Sequence, residues 1–71
     1  MENNEIRLTI RAARVNTGLT QQEAADAIGC SRYAIQSYEK GRTVPNWAIV
    51  KRMEEVYGIP ADRLIFAHNL A

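Results

Sequence analysis

Between Thr20 and Gly41 the apolar positions recur at helical rather than strand spacing, and the pattern is interrupted twice by glycine. Ala24, Ala25 and Ile28 fall on one face of a short predicted helix. Thr20 followed by Glu23 forms a capping box, in which each side chain satisfies a free N–H at the helix start. Leu19, just before the cap, is placed to pack on Ala24. Gly29 ends this helix, because the residue after a helix often needs a positive φ. Ser31 then caps a second helix, with Cys30 and Ile35 as its hydrophobic staple. That helix turns Ile35 and Tyr38 inward and ends at Gly41.

The flanking segments read as support for this pair. A first helix is expected from a cap at Asn3 or Asn4 to about Asn16, with Ile6, Ile10 and Ala13 as its apolar stripe and Leu8 and Val15 off it. After a linker from Arg42 to Asn46, Pro45 fits the first turn of a fourth helix. Trp47, Val50, Met53 and Tyr57 form its core stripe, with Lys51, Arg52, Glu54 and Glu55 on the other sides. Gly58 ends it, and Pro60 opens a short fifth helix through Asp62, Leu64 and Ile65. The tail from Phe66 to Ala71 is compatible with packing on the domain, with a dimer interface through Phe66 and Leu70, or with fraying. No repeat, low-complexity segment or strand-period alternation is visible. The expected fold is all-α: five short helices, of which one, four and five form the platform for two and three.

Composition narrows the class further. The 71 residues, 46% hydrophobic and 24% charged, suit a single globular domain over 1–71, near the lower size limit for a self-sufficient core. No apolar run approaches a membrane span, and MENNEIR lacks a signal-peptide core, so a cytoplasmic location and no membrane partner are expected. The lone Cys30 excludes an internal disulfide and argues against a cysteine-based metal site; no metal or cofactor is expected. A net charge of +1 is not the signature of strong non-specific nucleic-acid binding. Arg32, Lys40 and Arg42 nevertheless cluster in and just after the third helix.

The stretch resembles the helix-turn-helix of the Cro and phage-repressor family of bacterial DNA-binding proteins. The likeness runs without a gap from Ile10 to Ile65, the family-like core, and leaves 66–71 as a short tail. It includes Gly18-Leu19-Thr20-Gln21, Ser31-Arg32, Ile35, Tyr38-Glu39-Lys40-Gly41, Pro45, Gly58 and Asp62. Ala25 lets the second helix approach, Gly29 makes the turn and Ile35 fills the angle between the helices. The resemblance implies a lambda-repressor-like domain, with helices 2 and 3 as the helix-turn-helix, and an ion pair between Arg14 and Glu39. Where the family usually has leucine, this chain has Ala13 and Ala24; Trp47 or Tyr57 is expected to fill the space.

Docked as its relatives dock, helix 3 lies in the major groove. With Ile35 and Tyr38 turned inward, its outward face carries Arg32, Tyr33, Gln36, Ser37 and Lys40. Arg32 suits guanine N7 and O6 or a phosphate; Gln36 suits adenine or plain solvation. Tyr33 can set its ring on a thymine methyl or its hydroxyl on a phosphate, and Ser37 is small enough for close approach. Arg32, Tyr33, Gln36 and Ser37 are therefore the base-reading candidates. Lys40 and Arg42 are assigned to the backbone, with Thr43 and Asn46 as weaker phosphate candidates. Gln21 follows the Thr20 cap, where free N–H groups favour an anion. In the resembling family a glutamine there binds phosphate and braces a side chain of the recognition helix.

The function expected is sequence-specific regulation of transcription, as a repressor of bacterial, phage or mobile-element origin that binds a double-stranded DNA operator as a homodimer. Controller proteins of restriction–modification systems share the size and fold. The alternative is a protein-interaction module such as an antitoxin, with a toxin or antirepressor as partner. An enzyme is not expected, because neither His68 nor Cys30 has an acid–base constellation around it.

Overall fold

Two threonines, a serine and an asparagine set where the helices begin. In the computed structural model, which describes residues 6–66, the side chains of Thr9, Thr20, Ser31 and Asn46 each accept the backbone N–H three residues on. The helices that follow are α1 (Ile10–Thr17), α2 (Gln21–Ile28), α3 (Arg32–Lys40) and α4 (Trp47–Tyr57). At Thr20 the capping box is complete, since Glu23 Oε1 also accepts the Thr20 N–H at 2.9 Å. Gly29 ends α2 at φ 96°, and a Cβ there would meet nothing within 4 Å. Glycine is therefore required by backbone conformation, not by crowding.

Helix α1 begins later than the sequence pattern suggests. Leu8–Thr9 is a two-residue strand, β1, paired in parallel with β2 (Leu64–Ile65), Leu8 opposite Leu64 and Thr9 opposite Ile65. This pairing holds the chain extended up to the Thr9 cap, so no helix can start upstream within the described residues. Ile6 consequently leaves the expected stripe and is exposed, whereas Leu8 packs on the core. Asn3, Asn4, His68 and Leu70 lie outside the described residues.

Three further expectations change in and after α4. Pro45 is buried just before the cap, and Asn46, not Pro45, opens the helix. Trp47 is 64% exposed, although it shares the periodicity of Val50, Met53 and Tyr57. Residues 46–48 all lie open, so the first turn of α4 projects past the packed interface, and Lys51 Nζ sits 5.6 Å from the Trp47 ring centre. The expected fifth helix is a single 3₁₀ turn, Ala61–Arg63, running directly into β2. The Glu54 carboxylate accepts the Ala61 N–H and pairs with Lys51, and these two contacts, the first above all, hold its pKa below the usual range.

The core joins Ile10 and Ala13 of α1, Ala24, Ala25 and Ile28 of α2, Ile35 of α3, Met53 and Tyr57 of α4, and Leu64 of β2. Of the two aromatics offered to compensate the small Ala13 and Ala24, only Tyr57 joins them. Burial, aided by the nearby Glu39 charge, pushes the Tyr57 phenol up to about 12, with Arg14 opposing. A phenol whose pKa is about 10 unfolded and about 12 folded supports the fold fully below about pH 10, and that support is lost as pH rises through about 12. Two units correspond to about 2–3 kcal/mol. Denaturant unfolding at about pH 9 and about pH 12 should therefore show an alkaline loss of that size that Tyr57→Phe removes. The same loss in both proteins would assign it to other groups.

Candidate nucleic-acid interface

The amphipathic third helix sets the geometry. Ile35 is buried at 1% exposure and Tyr38 packs against the core, so the opposite side of α3 faces outward. Tyr33 is 70% exposed, and the Arg32 guanidinium lies 5.1 Å from its ring centre, a cation–π pairing on the open surface. Gln36 and Ser37 are half-buried, and Lys40 is exposed.

Behind this face runs a connected polar network. Arg14 Nε donates to Glu39 Oε2 at 2.7 Å and Nη2 to Oε1 at 3.2 Å, a bidentate pair joining α1 to the end of α3. The third arm, Nη1, donates to the Leu19 carbonyl at 2.8 Å in the turn before α2. The hydrogen bond to Glu39, strengthened by its charge, raises the Arg14 pKa despite burial. Gln21 Nε2 donates to the same Glu39 Oε1 at 3.1 Å, and Gln36 Nε2 donates to Gln21 Oε1 at 3.3 Å. One carboxylate thereby orients an arginine and a glutamine, and that glutamine holds Gln36 of α3.

The remaining candidates are distributed around this centre. Ser37 Oγ and Thr43 Oγ1 are 2.9 Å apart, tying α3 to the linker. Lys40 and Arg42 flank Gly41, whose left-handed conformation (φ 78°) ends α3. Asn46 Oδ1 accepts the Ile49 N–H at 3.0 Å, so its side chain is committed to a helix cap. Cys30 sits half-buried against the core, and burial pushes its thiol pKa up, away from the reactive thiolate. Among the described residues no group of three or more His, Cys, Asp or Glu side chains is placed to hold a metal ion, and no helix is long and apolar enough to cross a membrane.

An open cleft lies at the start of α2, lined by Arg11, Arg14, Thr20, Gln21, Gln22 and Arg32. It brings Gln21 together with Arg32, and it adds Arg11, which the sequence reading passed over. The available signal was spacing: Arg11 stands three residues before Arg14, hence on the same side of α1.

The helix-turn-helix domain family matches residues 5–64. This chain belongs to that family. It is 38% identical over 55 residues to multiprotein-bridging factor 1c of Arabidopsis thaliana, covering 78% of this chain and 37% of that protein. Over 56 residues it is 36% identical to the cryptic phage CTXphi transcriptional repressor RstR of Vibrio cholerae, covering 79% of this chain and 50% of the repressor. The chain thus spans half or less of the length of these two relatives. An uncharacterized HTH-type transcriptional regulator of Methanothermobacter thermautotrophicus is 38% identical over 53 residues, covering 75% of this chain and 77% of that protein.

Proposed function

We propose that this helix-turn-helix protein is a sequence-specific double-stranded DNA-binding regulator of transcription, a repressor that reads the major groove with α3 as a homodimer. The observation that carries this reading is the braced outward face of α3. Arg32, Tyr33, Gln36 and Ser37 are its base-reading residues, and Gln36 is held by Gln21, which is held in turn by Glu39. A side chain held before binding loses less rotamer entropy on docking, which favours a defined base contact over a diffuse one. Gln21, Lys40 and Arg42 hold the backbone, with Thr43 and Asn46 as weaker candidates; the Asn46 oxygen caps α4 and its amide N–H groups are what would reach a phosphate. The names of the Vibrio and Methanothermobacter relatives support regulation of transcription as the class. Occupation of promoter DNA by the dimer would then exclude polymerase.

A second reading, a protein-interaction module such as an antitoxin, is favoured by the exposed Val15, Val44 and Trp47 and by the name of the Arabidopsis relative. Selection from a pool of randomised duplex DNA separates the two. An enriched inverted repeat supports the dimeric regulator, and an enriched single half-site keeps DNA binding without the dimer. No enrichment at low salt by folded protein would transfer the assignment to the interaction module.

On the selected site, Arg32→Ala should weaken binding by about 1–3 kcal/mol and relax preference at one position, as loss of a bidentate guanine contact does. Titration of the variant against the site and its single-base changes measures this. An equal loss on every sequence would make Arg32 a phosphate clamp.

A further inference from the structure

The side-chain network behind α3 has a direction as well as a set of partners. Glu39 is held in a bidentate pair with Arg14, and a carboxylate in that pair can only accept. Gln21 therefore has to turn its amide nitrogen to Glu39 Oε1, 3.1 Å away. The Gln21 oxygen is left for α3, so Gln36 in turn has to bring its own nitrogen, 3.3 Å from that oxygen. An isolated glutamine can flip its amide freely, because its nitrogen and oxygen ends have nearly the same shape. In this chain a flip of Gln21 would set oxygen against oxygen at Glu39 and nitrogen against nitrogen at Gln36. A flip of Gln36 would set its oxygen against that of Gln21. The one group that can only accept thus fixes the sense of both amides. Gln36, one turn after Arg32 on the outward side of α3, keeps its oxygen and one N–H for a ligand.

We propose that Glu39 is a positioning residue that, without touching DNA, fixes the sense of the Gln36 amide, so that Gln36 reads the amino group of an adenine and turns away a keto oxygen at that place. This rests on the DNA-binding reading above and assigns one base of the site by its chemistry. In the major groove adenine offers its N6 amino donor beside the N7 acceptor, which the Gln36 oxygen and remaining N–H match as a pair. Guanine offers two acceptors there, O6 and N7. A glutamine free to turn could meet O6 with its nitrogen. The braced amide meets O6 with an oxygen, and two acceptors face to face leave both without a partner.

The test starts from the duplex selected by the wild type. The position that Gln36 meets is the one at which Gln36→Ala loses its base preference. There the wild type should bind adenine over guanine by about 5- to 150-fold, the discrimination of one bidentate pair, and replacing the adenine by purine, which lacks the amino group, should weaken binding. Glu39→Gln has an amide that can donate as well as accept, and Gln21→Met cuts the relay while leaving the ion pair. Each should shrink the adenine-to-guanine ratio at that position and leave the ratios at other positions unchanged. A ratio taken within one folded protein cancels any uniform loss of affinity, so a merely structural role would not move it. An unchanged ratio in either folded variant would break the chain at that link and overturn the proposal. So would a wild type that prefers guanine or thymine there, that binds purine as well as adenine, or whose preferences survive Gln36→Ala intact, and each of these would leave DNA binding standing. Failure of the wild type to enrich any duplex would overturn both readings.

Discussion

Glu39→Ala should melt at least about 12 °C below the wild type, taking about 3–5 kcal/mol for a broken buried pair and 4–8 °C per kcal/mol for a domain of this size. The Arg14 and Glu39 side chains retain only 10% and 5% of their exposure. Removing the carboxylate strands a guanidinium away from water, with one remaining contact at the Leu19 carbonyl, and takes the acceptor from Gln21. An exposed control, Glu55→Ala, removes a carboxylate that is 71% exposed and only 3.7 Å from Arg52, and should change little. Equal melting of the two variants would place the Arg14–Glu39 pair among surface charges. Replacing both partners with apolar residues, Arg14→Met with Glu39→Leu, should recover most of the stability, because the unpaired charge is gone. It should not restore the brace on Gln21 and Gln36. Comparing DNA affinity between this double variant and the wild type therefore separates what the pair does for folding from what it does for the interface.

Legibility in the sequence followed the range of the interaction. Thr20, Glu23, Gly29, Ser31 and Gly41 declare themselves because a cap or a helix stop involves residues within one turn, and α2 and α3 begin and end where those residues stand. The start of α1 was hidden for the opposite reason. It is decided by Leu8 and Thr9 pairing with Leu64 and Ile65, far along the chain. A two-residue strand has no alternation to detect, while Ile6 and Ile10 happen to continue a helical period. Trp47 shows a different limit. Periodicity gives the angle of a side chain around its helix but not whether a neighbour reaches that turn, and among the described residues Trp47 stays 64% exposed. The segment after Pro60 carried a helix-like start, yet its chain has to become extended at Leu64 to meet Leu8, which leaves room for a single 3₁₀ turn. In the candidate interface the outward row of α3 followed from helical spacing. The hydrogen bonds from Glu39 through Gln21 to Gln36 depend on two elements meeting, α2 and α3, and Arg11, which spacing sets beside Arg14, comes next to Gln21 only where α1 meets α2.

Ile35→Ala should be the second severe substitution, destabilising the protein by about 2–5 kcal/mol in denaturant titration, with Ile35→Val nearer 0.5–1.5 kcal/mol. Ile35 is 1% exposed, and it is the one residue of α3 that is fully buried. It packs in the same cluster as Ala25 and Ile28 of α2, whose small and medium side chains bring the two helices together. Truncation leaves a void at this elbow, and the backbone around it can relax only partly. The ion pair of Glu39 still ties the far end of α3 to α1, so the loss should appear as a looser near end, where Arg32 and Tyr33 stand. If α3 enters the groove, Ile35→Ala should bind its site more weakly than the wild type even under conditions where both proteins are folded. Ile35→Val, which keeps the elbow filled, should bind normally. Equal affinity of folded Ile35→Ala and wild type would mean that the angle of α3 is held by the Arg14–Glu39–Gln21 network alone, and Ile35 would then act on stability without acting on the interface.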